Sequence, residues 1–286
     1  EVAFVVGPPL ATALAVAIAP WSAIVAGLLM AGSGALALAA QRSTEPAPAE
    51  RTGPAGRGIW RSGTLQVLTL LMLLMGGIFG ALEVSTVAFA EESGAIWATG
   101  WLLGIFALAS GLTGLYLGAR PGGWPLSTQI VAGTATLAVA TAVIPFINGP
   151  VWYAAGMFAA GLGVSAVMIG AMQLIERSLP RARLTEALAL AISGVLVGSA
   201  AAVALAGALI DVGDSSTGLA VGSVAALAGL AVAIAARPSL IRVEAVEPQD
   251  LDLAEGSPAG HAGSASLTSA PAGPPALSGD GTAPPG

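Results

Sequence analysis

One carboxylate stands inside a long hydrophobic run. Glu83 falls in the apolar segment Thr64–Ala90, and Gln66, Thr69, Leu73, Gly76, Gly80 and Glu83 recur at alternating spacings of three and four residues, which places them on one helix face. A polar and small stripe on a helix rich in Leu and Met should face a bundle interior or a water-filled cavity. An ionisable side chain within a membrane span is costly, and so marks a functional site by default. Such a carboxylate could bind and release a proton, or pair with a cationic solute. The plainer alternative is an interfacial glutamate at a helix end, because a rise of 1.5 Å per residue puts Glu83 roughly 27 Å beyond Leu65. Glu83, Gln66 and Thr69 are therefore the transport-site candidates.

Two further groups of residues carry mechanical rather than catalytic chemistry. Gly7, Pro8 and Pro9 remove two backbone donors from the first apolar run. This frees the carbonyls of Phe4 and Val5 and kinks or opens the helix, as a functional hinge or a purely structural bend. Glu176, Arg177, Arg181, Arg183 and Glu186 crowd one expected turn. They read as a topology anchor with local ion pairs or, more sharply, as a cytoplasmic gate latch.

Enzyme chemistry has little to work with. The chain has no cysteine, which excludes disulfides, thiol nucleophiles and thiolate metal sites. The one histidine, His261, sits in a Gly/Ala/Ser stretch without metal-ligand neighbours. No nucleophile–base pair, metal cluster or phosphate loop is present. The expectation is no enzyme activity, no cofactor and no metal.

The elements that position these residues are hydrophobic helices. Of 286 residues, 55% are hydrophobic and only 9% charged, too few to coat a soluble surface, so the lipid bilayer must be the solvent. A helix needs about 20 apolar residues to cross the bilayer core. Eight segments meet or approach that length: Val2–Ala19, Ala23–Ala40, Thr64–Ala90, Ile96–Leu117, Thr128–Ile147, Val151–Leu174, Ala187–Ile210 and Gly218–Ala236. The expected fold is all-α, a membrane protein of about eight transmembrane helices. Its parts are residues 1–41 as the last two helices of one half-bundle, a polar cytoplasmic linker over 42–63, a six-helix half-bundle over 64–237 and a disordered cytoplasmic tail over 238–286.

Charge gives the expected orientation. All ten basic residues are arginines, and they fall after the second, fourth, sixth and eighth spans: Arg42, Arg51, Arg57 and Arg61; Arg120; Arg177, Arg181 and Arg183; Arg237 and Arg242. The other connections carry Glu91, Glu92, Asp211 and Asp214. By the positive-inside rule the arginine loops and both termini are cytoplasmic. Trp21, Trp60, Trp97, Trp124 and Trp152 sit near span ends as an aromatic belt, with Trp101 slightly inside. The net charge of -6 comes mostly from residues 238–286, with six acids and one arginine. No basic stripe exists, so nucleic acid is not an expected partner.

Small-residue seams suggest close helix packing or sliding surfaces. One runs through Gly100, Gly104, Ala107, Gly111, Gly114 and Gly118, another through Gly156, Ala159, Gly163, Ala166, Gly170 and Gln173, and a shorter one through Gly194 and Gly198. The first two spans also faintly repeat the last two, a pattern found in transporters with parallel repeats.

These residues resemble the Major Facilitator Superfamily, specifically helices five to twelve of its twelve, over about residues 1–237. Phe4-Val5-Val6-Gly7-Pro8-Pro9-Leu10 resembles the Gly-Pro motif of helix five in drug/proton antiporters, without the usual following double glycine. Gly114-Leu115-Tyr116-Leu117-Gly118-Ala119-Arg120 resembles the loop between helices eight and nine, without the usual Asp and second Arg. Leu184-Thr185-Glu186-Ala187 followed by Gly194, Gly198, Gly207 and Asp211 resembles helix eleven of bacterial efflux members. The resemblance implies a secondary transporter fragment in the inner (plasma) membrane, exporting a small organic solute by alternating access, with proton coupling as one option. Four helices preceding Glu1 are then expected in the complete protein. It makes Gly114, Gly118, Arg120, Arg181, Arg183 and Glu186 the cytoplasmic gate candidates. The alternative is a truncated, non-transporting membrane protein that keeps half the fold for packing or partner binding.

Overall fold

The computed structural model describes residues 2–41, 62–120, 123–147, 149–179 and 181–245, except for the side chains of 2–5, 181 and 182. Eight helices follow in order: α1 (Val2–Ala17), α2 (Ser22–Ala40), α3 (Gly63–Glu92), α4 (Thr99–Gly118), α5 (Leu126–Val143), α6 (Pro150–Ser178), α7 (Arg181–Val212) and α8 (Ser215–Glu244). Short 3-10 turns precede α4 and follow α5. Among the described residues there is no strand. Among these same residues seven helical segments are long and apolar enough to cross a membrane; α1, at 16 residues, falls short of the usual span. The chain is an all-helical, multi-pass membrane protein.

Helix ends follow local chemistry. Ser62 caps α3 by accepting from the Leu65 N–H at 3.4 Å. Asp214 and Thr217 form a reciprocal capping box at the start of α8. Gly94 stops the chain after α3 with φ 64°, and Gly149 turns it into α6 with φ 89°, both in the left-handed region that only glycine enters freely.

Contacts between helices give their directions. Thr69 and Leu73 of α3 meet Gly194 and Gly198 of α7 in rising order, so these two run parallel. Phe106 and Ser110 of α4 meet Gly161 and Ser165 of α6, again parallel. Gly77 and Ala81 of α3 meet Ala225 and Gly222 of α8, which makes that pair antiparallel. In the core, Leu68, Met72, Met75 and Ile78 of α3 pack with Ile130 and Leu137 of α5, Met157 and Leu174 of α6, and Leu219 and Leu240 of α8. Helix α1 lies on α4, and α2 packs substantially on α1 alone.

Three boundaries differ from the sequence reading. Helix α6 runs to Ser178 and α7 begins at Arg181, so Glu176 and Arg177 sit on a last helical turn and Arg183 and Glu186 near a first one, rather than crowding a loop. Helix α8 passes through Pro238 to Glu244, so the expected disordered tail does not begin at 238. Proline lacks a donor and crowds the preceding turn, but Ala233, Ala236 and Leu240 are buried on either side and hold the helix in register. The expected linker is outside the described residues from 42 to 61, and the tail from 246 onward, His261 included.

Candidate functional site

The polar stripe of α3 divides into a packed centre and two exposed ends. Gly76 and Gly80 lie under α7, where an added Cβ would overlap the carbonyls of Val195 and Ser199. The fit is reciprocal: a Cβ on Gly198 would overlap the Leu73 carbonyl, and one on Gly194 would stand 3.1 Å from the Thr69 carbonyl oxygen. Such close backbone approach is what small residues supply between membrane helices. The middle of the stripe is therefore a helix crossing, not the wall of a water-filled path. The Thr69 hydroxyl is buried beside this crossing with no hydrogen-bond partner.

Gln66 and Glu83 are exposed on the bundle surface. Fourteen residues of helix separate Thr69 from Glu83, roughly 21 Å. The structure thus brings Gln66 and Thr69 close together and leaves Glu83 far from both, so the three do not converge on one small solute. Glu83 makes no hydrogen bond or ion pair among the described residues.

The kink motif sits at a helix crossing. Helix α1 continues through Pro8 and Pro9, and a Cβ on Gly100 of α4 would lie 2.8 Å from the Pro8 carbonyl oxygen and 2.7 Å from the Thr12 hydroxyl. Beside this crossing is an apolar cleft of about 360 Å³ walled by Pro9, Thr12, Val16, Trp97 and Trp101. A larger groove, about 460 Å³, runs between α5 and α6 along Thr136, Val139 and Gly156.

The gate candidates occupy one end of the bundle. Gly114 packs against Ser165, and Gly118 faces open space. The Arg120 guanidinium lies 4.6 Å from the centre of the Tyr116 ring. Arg183 is half-buried and Glu186 exposed on α7; Arg181 opens that helix, with its side chain outside the described set.

The polar tie at this end is made by a residue that sequence reading assigned to the tail. Glu244, the last residue of α8, accepts from the backbone N–H groups of Leu126 at 2.5 Å and Ser127 at 3.2 Å, and from the Ser127 hydroxyl at 2.9 Å. Arg177 of α6 donates to the Glu244 backbone carbonyl at 3.2 Å. Helix α5 follows Pro125 and has no side-chain cap of its own, so Glu244 supplies the anionic partner that its first N–H groups and its dipole require. The signal in the sequence is weak: an uncapped Pro-Leu-Ser helix start, with an acid at the end of a distant helix.

The opposite end repeats the device. Glu92, the last residue of α3, accepts from the Ser215 N–H at 2.7 Å and from its hydroxyl at 2.5 Å. Next to it, hydrogen bonds from the Ser216 hydroxyl and then the Thr217 N–H hold the exposed Asp214 carboxyl below its usual range. Between the two ends, buried hydroxyls join helices directly. Ser110 and Ser165 meet at 2.8 Å, Thr86 and Tyr153 at 3.2 Å, and Tyr153 stacks on Phe89 with centroids 4.0 Å apart.

Among the described residues no group of three or more His, Cys, Asp or Glu could hold a metal ion. No family model, no curated protein and no solved structure matches this chain.

Proposed function

We propose that the chain is the greater part of a secondary active transporter of the Major Facilitator type, which exports a small organic solute across the cell inner membrane by alternating access. The observation that carries this reading is Glu83: a carboxylate inside a 30-residue apolar helix, exposed on the bundle surface without a partner among the described residues. Facing lipid it would cost up to about 2.5–3.5 kcal/mol, the insertion-scale value for a charge at a helix centre. That cost is avoided if the exposed end of the stripe around Glu83 lines a wetted path or meets other helices. In this reading α1 and α2 end the first half, α3–α8 form the second, and the arginine-bearing ends and both termini are cytoplasmic. A proton or a cationic solute are the two species a lone carboxylate would serve.

The test is Glu83→Gln in the complete transporter, assayed in proteoliposomes under an imposed pH gradient. The substitution keeps size and hydrogen bonding and removes titration. Proton-driven or pH-dependent transport should fall at least tenfold, about 1.4 kcal/mol in the limiting barrier, with normal insertion. Glu91→Gln should change little. An unaltered rate and pH profile in Glu83→Gln would reduce this residue to an interfacial anchor.

A second reading is a non-transporting membrane protein that binds a partner through its surface. It draws on α2, most of whose large apolar side chains, Leu28 and Leu36 among them, are two-thirds or more exposed. A bare helix of this kind suits an intermolecular contact in the bilayer as well as it suits a missing half.

A further inference from the structure

We propose that the arginine-bearing end of the bundle is the docking surface for the acidic segment that follows α8, Glu247 to Glu255. The helix directions given above bring the ends of α4, α6 and α8 together with the starts of α5 and α7. Arg120, Arg177, Arg183, Arg237 and Arg242 all lie there, whereas the opposite end carries Glu91, Glu92, Asp211 and Asp214 and no base. The contacts these arginines make are to a ring face and to backbone carbonyls: Arg120 over Tyr116, Arg177 on the Glu244 carbonyl, Arg242 on the Pro238 carbonyl. None of these uses up a carboxylate. The Glu244 carboxylate at the same end is committed to the start of α5.

The chain leaves the helical fold in the midst of this basic surface. Helix α8 stops at Glu244, pinned to α5 and α6, and the sequence then places Glu247, Asp250, Asp252 and Glu255 within nine residues, with no base among them. Ten residues beyond Ala245 extend at most about 35 Å, several times the 8–10 Å between neighbouring helix axes. The segment can therefore reach α4 or α7. Each exposed pair is weak alone, but tethering holds the four acids at high effective concentration beside the arginines. Gly118 and Arg120 at the end of α4, and Arg183 near the start of α7, mark the surface within the segment's reach. The docking itself does not depend on the transport reading.

The full chain contains no cysteine, so paired labels can be introduced directly. Gly118→Cys is tolerated, because a Cβ there meets nothing within 4 Å. With Ala254→Cys it gives two spin labels whose separation pulsed electron resonance reads in vesicles of phosphatidylcholine with phosphatidylglycerol. A narrow, short distance is expected. It should be lost in the variant E247Q/D250N/D252N/E255Q, whose changes all lie beyond α8 and leave the packed helices untouched. A broad distribution in the unneutralised protein overturns the proposal, as does a narrow one that survives neutralisation. A distance that is narrow in phosphatidylcholine alone but broad once phosphatidylglycerol is added also overturns it, and assigns the arginines to anionic lipid headgroups instead.

Discussion

The most apolar stretches of helices α2 and α3 are nearly equal in hydropathy, yet the two helices live in different surroundings. Helix α3 buries fourteen residues between α7 and α8, while α2 buries only Ser22. Glycine content does not separate them. Gly76, Gly77 and Gly80 of α3 each meet a neighbouring helix, whereas Gly27, Gly32 and Gly34 of α2 have open space where a Cβ would go. Polar ties differ as well. Helix α3 reaches α8 through Glu92 and α6 through Thr86, while α2 is tied back by the Ser22 hydroxyl, to the Leu14 and Ala19 carbonyls of the segment just before it. Hydropathy names the solvent of a helix; only complementary backbone on a second helix turns a glycine into a packing site.

The sharpest way to break this comparison is one substitution made twice. Gly198→Val drives side-chain atoms into the Leu73 carbonyl and the Gly77 amide of α3, neither of which can yield without moving a helix. A loss of about 3 kcal/mol or more is expected, seen as little folded monomer in fluorescence-detected size exclusion. Gly32→Val should fall within about 0.5 kcal/mol of the parent, since it meets nothing. Equal losses at the two positions would mean that α2 is packed against something in the folded protein. If helices of a first half cover α2, the same substitution made in the complete protein should become costly.

A smaller effect separates the two ends that hold α8. Among the described residues Glu244 is the side chain that accepts from the first N–H groups of α5, while the start of α8 has Glu92 in addition to its own Asp214–Thr217 box. Glu244→Ala should therefore cost about 2 kcal/mol and Glu92→Ala about 1 kcal/mol, within the range for lost helix caps and charge-assisted hydrogen bonds. Thermal unfolding in detergent would rank them. The reverse order would show that the arginine end is held by something other than this carboxylate.

What could be read from the sequence follows from what the bilayer demands. A span needs a long apolar run, so the centres of all eight segments from Val2 to Ala236 coincide with helices. Their ends were less legible, because charge and proline signal a stop only where nothing packs against the next turn. Glu176, Arg177 and Pro238 all lie within helices. The spacing from Gln66 to Glu83 is legible as one helix face, but its glycines give no indication of which helix they meet. One face extending over about five turns cannot close around a small solute, so Gln66, Thr69 and Glu83 do not form the single site expected of them. Glu244 was missed for a different reason. Its partners Leu126 and Ser127 stand 118 and 117 residues away, and no local pattern links a helix end to the start of a distant neighbour.

The smallest expected effect is a pH dependence at the cap of α8. Asp214 is fully exposed, and hydrogen bonds from the Ser216 hydroxyl at 2.6 Å and the Thr217 N–H at 3.0 Å favour its ionised form. Its folded-state pKa is lowered, so the folded protein holds this proton less tightly than the unfolded chain does. The stabilisation is complete above the unfolded carboxyl value, about 3.9, and is lost as the pH falls through the lower folded value. Asp214→Asn retains a good capping side chain but cannot ionise. Its unfolding temperature should sit slightly below that of the parent at neutral pH, with the gap closing below about pH 4 as the parent loses its charge. Other carboxylates titrate over the same range, so the informative quantity is the difference between the two proteins at each pH, with Asp211→Asn as a control on the same exposed end. A gap that stays constant down to the acid limit would show that the cap works through hydrogen-bond geometry alone, with no contribution from charge at the start of α8. The parallel between this end and the Glu244 end would then rest on shape rather than on the helix dipole.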